Sequence, residues 1–300
     1  VYRRKAGLLM EDYAIRATGY GGKARLLACR TTNLVEQIHN CHNTSATISA
    51  ALGRVVSIAA MMGLLHKGKD KITIQVHGDG PAGKLIVDAD ACGNVRGYVT
   101  NPQVDFTANE YGKLDVKRAI GTAGMIYVTK DIGLKEPYQG ASEIVSGEMG
   151  EDFTYYFTQS EQTPSAVGVG VTIDTDLSIK AAGGFIIQLF PGTEEEVIID
   201  IENKLKSFGD VSKKIAEGYT PEQMLEQLAD DVRILQKQEL NHFCTCSYDR
   251  IKAVIAQLKL EEIEDMIAKE GQAEVTCSFC NEQYIIPKHD LEQICKALGG

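Results

Sequence analysis

Apolar and polar residues alternate with a period of two over Lys71–His77, Lys84–Ala89 and Val95–Thr100, a pattern that predicts three half-buried strands. Asp79-Gly80-Pro81-Ala82-Gly83 supplies turn chemistry after the first of them. Further strand patterns occupy Tyr13–Thr18, Lys23–Cys29, Ala123–Lys130 and Val167–Ile173. Phe185–Leu189, led in by Ala181-Ala182-Gly183-Gly184, is almost continuously apolar and predicts a buried strand. Residues 33–66 read as helical. Asn33 is the candidate cap of a first helix, and Thr44 or Ser45 of a second. Ile48–Leu65 is so rich in Ala, Met, Leu and Val that its helix should be buried, with Met61-Met62 in the core. Glu151–Gln162, carrying Phe153, Tyr155, Tyr156 and Phe157, predicts another helix. Strands mixed with helices, without a regular βαβ repeat, predict an α+β fold: a mixed or antiparallel sheet core packed with helices. They disfavour a Rossmann fold.

The pattern changes after Pro191-Gly192. Thr193 is positioned to cap a helix whose first turn carries Glu194, Glu195 and Glu196, where negative charge suits the dipole. Thr220-Pro221-Glu222-Gln223 is a second helix start, with Thr as cap, Pro at the first helical position and Gln at the third. Residues 193–240 therefore read as short helices with modest apolar faces, a helical linker that needs a partner surface to be stable. Glycine follows the same division: 24 of 29 lie in residues 1–200, so turns concentrate before the linker. The expected organisation is an α+β core over 10–192, a helical linker over 193–240 and a small C-terminal metal-binding module over 241–300. Residues 1–9 read as leader or upstream sequence, because Met10 followed by Glu11-Asp12-Tyr13 resembles a natural start.

Charge narrows the function classes. The formal net charge is −10, divided as +6 over residues 1–100, −10 over 101–200 and −6 over 201–300. The C-terminal third lacks the basic stripe that a phosphate backbone requires, so no nucleic-acid partner is expected. No run of apolar residues approaches the roughly 18 of a transmembrane helix, and no signal peptide is recognisable, so the expected compartment is the cytoplasm, with no membrane partner. No Ser-His-Asp order, His-Glu-x-x-His run or Walker loop is present. Gly78-x-Gly80-x-x-Gly83 matches a dinucleotide fingerprint only on paper, since it leads into a strand. No enzymatic activity is expected.

The eight cysteines carry the chemistry. Cys244-Thr245-Cys246 and Cys277-Ser278-Phe279-Cys280 are two close thiol pairs separated by 30 residues. Two such pairs can supply a tetrahedral four-cysteine site, so Cys244, Cys246, Cys277 and Cys280 are the candidate ligands of one Zn²⁺ per chain. Four ordinary buried cysteines or an iron–sulfur cluster are the alternatives. Helices over 249–258 and 261–269 fit between the pairs. Ala273–Cys280 and Gln283–Ile286 suggest a hairpin closed by Pro287, and a last helix runs over 290–298. His242 and His289 lie close in sequence and read as partly exposed bystanders, with ligand replacement as the alternative. Cys295 should pack within its helix, and Cys29, Cys41 and Cys92 should be core or inert thiols. Zinc keeps sulfurs as thiolates, the form that oxidants attack, so the same four residues can be a passive staple or a redox switch. Loss of the metal would then remove support from the marginal helices beside it.

Several longer motifs point further. They are Ala28-Cys29-Arg30-Thr31-Thr32, Gly80-Pro81-Ala82-Gly83, and Gly112-Lys113-Leu114-Asp115-Val116 with Ala119-Ile120-Gly121-Thr122. The run Val145–Phe157 follows, then Ser160–Ser165, and then Ala182-Gly183-Gly184-Phe185 with Gln188, Pro191 and Gly192. With the two cysteine pairs, they make the chain from Met10 onward resemble the heat-shock protein 33 family of bacterial redox-regulated holdase chaperones. The resemblance implies an ATP-independent chaperone whose reduced, zinc-bound form is an inactive monomer. It implies that the family's ligand thiols match Cys244, Cys246, Cys277 and Cys280. It also implies that oxidation forms the disulfides Cys244–Cys246 and Cys277–Cys280, releases zinc, unfolds the module and linker, and favours a homodimer that binds unfolding client proteins. The competing classes are a passive zinc-stapled interaction module and a dithiol enzyme using Cys277 and Cys280 at a helix start.

Overall fold

The computed structural model describes residues 10–108 and 113–299. Residues 1–9, read as a leader, and Gly112 of the quoted motif lie outside the described residues. The chain folds as two compact units, the first ending at His242 and the second beginning at Phe243.

In the first unit, β1 (Tyr13–Gly19) and β2 (Ala24–Arg30) form a hairpin around a short 3-10 turn. Two helices follow, α1 (Thr32–His42) and α2 (Ala46–Gly63). The meander β3 (Lys71–Gly78), β4 (Lys84–Asp90) and β5 (Asn94–Val99) confirms the period-two reading. Next come α3 (Val116–Ile120), β6 (Gly124–Asp131), β7 (Tyr138–Glu143), α4 (Met149–Gln159), β8 (Ser165–Ile173) and β9 (Ile179–Leu189). The linker region holds α5 (Glu195–Phe208), α6 (Val211–Ala216) and α7 (Pro221–Glu226). It ends in β10 (Arg233–Glu239), and β11 (Asn241–His242) closes the unit. The strands form a five-stranded sheet, β10-β1-β2-β9-β8, and a six-stranded sheet, β11-β5-β4-β3-β6-β7. Every pairing is antiparallel except β11 with β5, so the α+β expectation holds.

α2 lies between the two sheets. Sixteen of its eighteen residues are buried, Met61 and Met62 among them. Ser45 caps it, its hydroxyl accepting from the Ile48 amide at 3.2 Å. A Cβ on Gly53 would stand 2.8 Å from Val35 and Val171 side chains, so glycine lets α1 and β8 approach this closely. By length and composition α2 is apolar enough to cross a membrane, but it is buried within the fold, as the sequence reading of a core helix expected. Here the same composition fills a protein core. α1 is capped from afar. Asn33, the candidate cap, lies inside the helix, and the Asp12 carboxylate accepts from the Leu34 amide at 2.6 Å. The Gly78 and Gly80 positions serve packing: a Cβ at either would stand within 2.4 Å of a backbone oxygen of Ile120 or Ala119.

The opposite face of the five-stranded sheet is covered by the linker helices. Ile15, Ala17, Leu26, Ala28, Phe185 and Ile187 of the sheet share one buried cluster with Ile201, Phe208, Val211, Ile215, Met224 and Leu225 of the helices. The Phe185 and Phe208 rings meet edge to face at 5.1 Å. Polar anchors frame the cluster: the Tyr13 hydroxyl donates to Glu222 at 2.6 Å, the Tyr20 hydroxyl donates to the Leu228 carbonyl, and Asp231 accepts from the Tyr20 and Gly21 amides. The Thr220–Gln223 capping box forms as read. The first helix start differs by one residue, since Glu194 is the cap position and the Thr193 hydroxyl instead donates to the Phe190 carbonyl. The larger correction concerns residues 233–239, which are not helical. They form β10 and pair with β1 from Tyr13↔Glu239 to Thr18↔Arg233. Main-chain pairing with a distant strand decides this, and Arg-Ile-Leu-Gln-Lys-Gln-Glu carries too few buried side chains to signal it locally.

The second unit contains α8 (Tyr248–Ile255), α9 (Leu260–Lys269), the antiparallel hairpin β12 (Gln272–Thr276) and β13 (Gln283–Pro287), and α10 (Lys288–Gly299). Its buried apolar cluster is Ile255, Ile263, Ala273, Ile286, Leu291 and Ile294. The Asp290 carboxylate accepts from Lys252 at 2.8 Å and from the Tyr248 hydroxyl, tying α8 to α10; both donors hold it below the usual carboxylate range.

Truncating Phe208 to Ala should remove about 3–5 kcal/mol of packing from the helix–sheet cluster. Hydrogen exchange then shows lost protection over residues 195–229 with β2 and β9 still protected. Unchanged protection of the helices would mean that they do not depend on this face.

Candidate metal centre

The hairpin β12–β13 builds half of the site. Its turn is Cys277–Glu282: the Cys277 amide donates to the Glu282 carbonyl at 2.9 Å, and the Asn281 amide donates to the Cys277 carbonyl at 2.8 Å. Asn281 takes φ 55°, a left-handed conformation that Asn tolerates better than most residues. This turn brings both thiols of a Cys-x-x-Cys to one side. The other half is the extended segment Cys244–Cys246 ahead of α8, whose N-terminus Ser247 caps through the Arg250 amide.

The four sulfurs converge. Cys244 and Cys277 Sγ are 3.7 Å apart, Cys246 and Cys280 Sγ are 3.3 Å apart, and all four lie within 4.8 Å of one another. Zn–S bonds of about 2.3 Å in a tetrahedron require sulfur–sulfur edges of about 3.8 Å. The arrangement therefore fits a tetrahedral thiophilic ion, and the donor set selects zinc or an iron–sulfur centre over hard cations. Among the described residues, no other group of three or more His, Cys, Asp or Glu gathers its ligand atoms this closely.

Burial pushes the Cys246 thiol up, while the Tyr284 hydroxyl, donating to its sulfur at 3.1 Å, and Cys280 pull it back. Cys280 lies well above the usual thiol range, first through burial; the Glu282 amide opposes this and the neighbouring thiols add to it. Burial thus favours the protonated Cys246 and Cys280 thiols, so metal binding must displace their protons. Tyr284, whose own hydroxyl is held up by Cys246, was not legible as a site residue in the sequence. Its only signal is its place in β13, four residues after Cys280.

A model of the family described as Hsp33 protein matches residues 12–287 of this chain. The chain belongs to the Hsp33 family. It is 51% identical to the 33 kDa chaperonin of Geobacillus kaustophilus (strain HTA426) over 287 residues, 95% of this chain and 98% of that protein. It is 50% identical to the 33 kDa chaperonin of Bacillus subtilis (strain 168), over 94% of this chain and 97% of that one. The crystal structure of the 33 kDa chaperonin (heat shock protein 33 homolog) from Thermotoga maritima superposes with a TM-score of 0.90 at 34% identity, covering 96% of this chain and 99% of that chain. Membership places this Hsp33-family chain among the chaperones.

The remaining candidates fall elsewhere. His242 is in β11 of the first unit, half-buried, with Nε2 unpartnered; burial, then His42 and Arg96, lower its pKa. His289 is 70% exposed and faces Asp290 at 3.6 Å. Neither joins the cluster. Cys29 is fully buried and Cys295 packs on the second unit's core, but Cys92 is exposed, because it sits in the turn between β4 and β5, with its amide donating to Asp90 at 2.8 Å. The Cys277–Cys280 turn lies within a hairpin and starts no helix, unlike the helix-start dithiol considered from the sequence. Among the described residues, which include all eight cysteines, there is no disulfide.

Cys277→Ser should abolish stoichiometric metal binding and unfold the second unit. Tyr284→Phe keeps every ligand and should weaken zinc affinity by about tenfold, read by competition with a chromogenic chelator. Equal affinity for Tyr284→Phe and wild type would remove the tyrosine from the site.

Proposed function

We propose that this protein is an ATP-independent, redox-gated holdase whose switch is the cluster Cys244, Cys246, Cys277 and Cys280, loaded with one Zn²⁺ per chain in the resting form. The convergence of the four sulfurs in a chain of the Hsp33 family is the observation that supports this reading. When bound, zinc holds the sulfurs as thiolates and supplies folding free energy to a unit with only six buried apolar residues.

Oxidation acts on the ligands themselves. The four thiolates lose four electrons to two molecules of peroxide, which take up four protons and leave as four waters. Two S–S bonds form, Cys244–Cys246 and Cys277–Cys280. In the reduced cluster two short sulfur separations run across the pairs, Cys244 to Cys277 and Cys246 to Cys280. All edges of a tetrahedron are similar, so resting distances do not choose the partners; family membership supports pairing within each local pair. Once the sulfurs are tied to one another they can no longer ligate, and the second unit loses its staple.

The linker is the transmitter. α5, α6 and α7 bury their apolar faces in the one cluster they share with the sheet, and short isolated helices are marginal in water. Their release would uncover Ile15, Leu26, Phe185 and Ile187 on the sheet, together with their own Phe208, Ile215 and Met224. Such a patch suits unfolding client proteins, and it suits a second copy in a homodimer. The expected compartment is the reducing cytoplasm, where the resting thiolates would persist.

Peroxide with mild heating should release about one zinc per chain and turn on suppression of aggregation of a thermally unfolding client enzyme. Reduction before client is added should reverse the gain. Zinc release without any gain of suppression would reduce the cluster to a passive staple.

A further inference from the structure

β10 is an edge strand with an unusual balance of forces. In the order β10-β1-β2-β9-β8 its single strand neighbour among the described residues is β1. Arg233, Ile234, Leu235, Lys237 and Glu239 are exposed, Gln236 and Gln238 are half-buried, and none joins an apolar cluster of the first unit. β1 is the reverse, with Ala14, Ile15 and Ala17 fully buried. β10 is thus held by main-chain pairing, by Lys237 stacked 3.7 Å from the centre of the Tyr13 ring, and by Gln238 donating to the Cys92 carbonyl at 2.9 Å. Even the ladder is interrupted: its register shifts between Arg16 and Ala17, leaving Leu235 without a partner on β1. Lifting this strand would expose little new side-chain surface, but it would uncover a row of main-chain donors and acceptors along β1. Such a row pairs readily with another extended chain.

We propose that the β1 edge is a polypeptide-binding surface that β10 covers in the resting protein, and that an extended segment of an unfolded client replaces β10 there after activation. This rests on the redox-gated reading above. β10 itself defines what the edge takes: seven extended residues, antiparallel to β1, whose side chains point mostly to solvent. Strand addition draws its affinity from the main chain, so it accepts many sequences, as a holdase must. Chain connectivity supplies the gate. Only residues 240–243 separate β10 from Cys244, and the α7 end of the linker precedes it. With both flanks ordered, β10 stays pinned beside β1. With both unfolded, it competes as one short segment among others and carries the full entropy of ordering.

Hydrogen exchange on the full-length protein reads the peptide covering Tyr13–Gly19 in the reduced state, the oxidised state and the oxidised state with a thermally unfolded client. Zinc release and aggregation suppression are followed on the same samples, so failure of the redox-gated reading is seen separately. About half of the β1 amides, those facing β10, should exchange at least about tenfold faster after oxidation and regain protection with client, while β2 stays protected. Active oxidised protein that keeps β1 protected, or that loses protection without regaining it on client binding, overturns the proposal. Protection regained by raising the protein concentration alone assigns the edge to a second copy and overturns it too. A variant keeps the test independent of oxidation. Gln236→Pro removes a strand amide and should raise client suppression by the reduced, zinc-loaded protein. Lost β1 protection with unchanged suppression in that variant contradicts the proposal.

Discussion

Four cysteine sulfurs converge within 4.8 Å in a unit whose apolar core is small, an arrangement suited to a metal that would hold the unit together. The unit from Phe243 onward buries six apolar residues in its core, and small domains of this kind usually need a disulfide or a metal to be stable. Cys244 and Cys246 come from an extended segment and Cys277 and Cys280 from a hairpin turn, so closing the cluster fixes both ends of the helical stretch between them. In the proposed zinc-loaded form, the thiolates that stabilise the unit would also be the groups that oxidants attack. On that reading stability and reactivity would reside in the same sulfurs, and oxidation of the ligands would cost the fold.

The first unit has a complementary construction. Its central helix α2 and the inner sheet faces form a large core to which residues 193–240 contribute Leu240 alone. The outer face of the five-stranded sheet is apolar too, and α5, α6 and α7 cover it. A removable cover differs from a core element in having no second surface to bury, and these helices bury one face only. β10 is the same idea carried out with main-chain bonds in place of side chains. Cover and edge strand together, residues 195–239, place no side chain in the core around α2.

The sequence is transparent where local rules decide and opaque where distant ones do. Alternation located β3, β4, β5 and β6, and Ser45 and the Thr220–Gln223 box announced their helices because a cap is a local hydrogen bond. The paired cysteines were legible because ligand spacing within a turn is local as well. The α1 cap was not, since Asp12 supplies it from twenty-two residues away, and Asn33 merely resembles a cap. β10 was hidden because its identity comes from pairing with β1, and β7 because its exposed edge residues carry no apolar signal. Tyr284 reaches Cys246 only through the hairpin register, which no spacing rule encodes. Composition was a sound guide at α2, whose apolar residues fill the protein interior as expected.

Everything proposed for this protein turns on the coupling between the sulfurs and the linker. It is tested most directly by following zinc release and hydrogen exchange of residues 195–229 through one oxidation time course. Protection of the three linker helices should fall as zinc is released, while α2 stays protected. Linker helices that remain fully protected after one zinc per chain has gone would contradict the coupling.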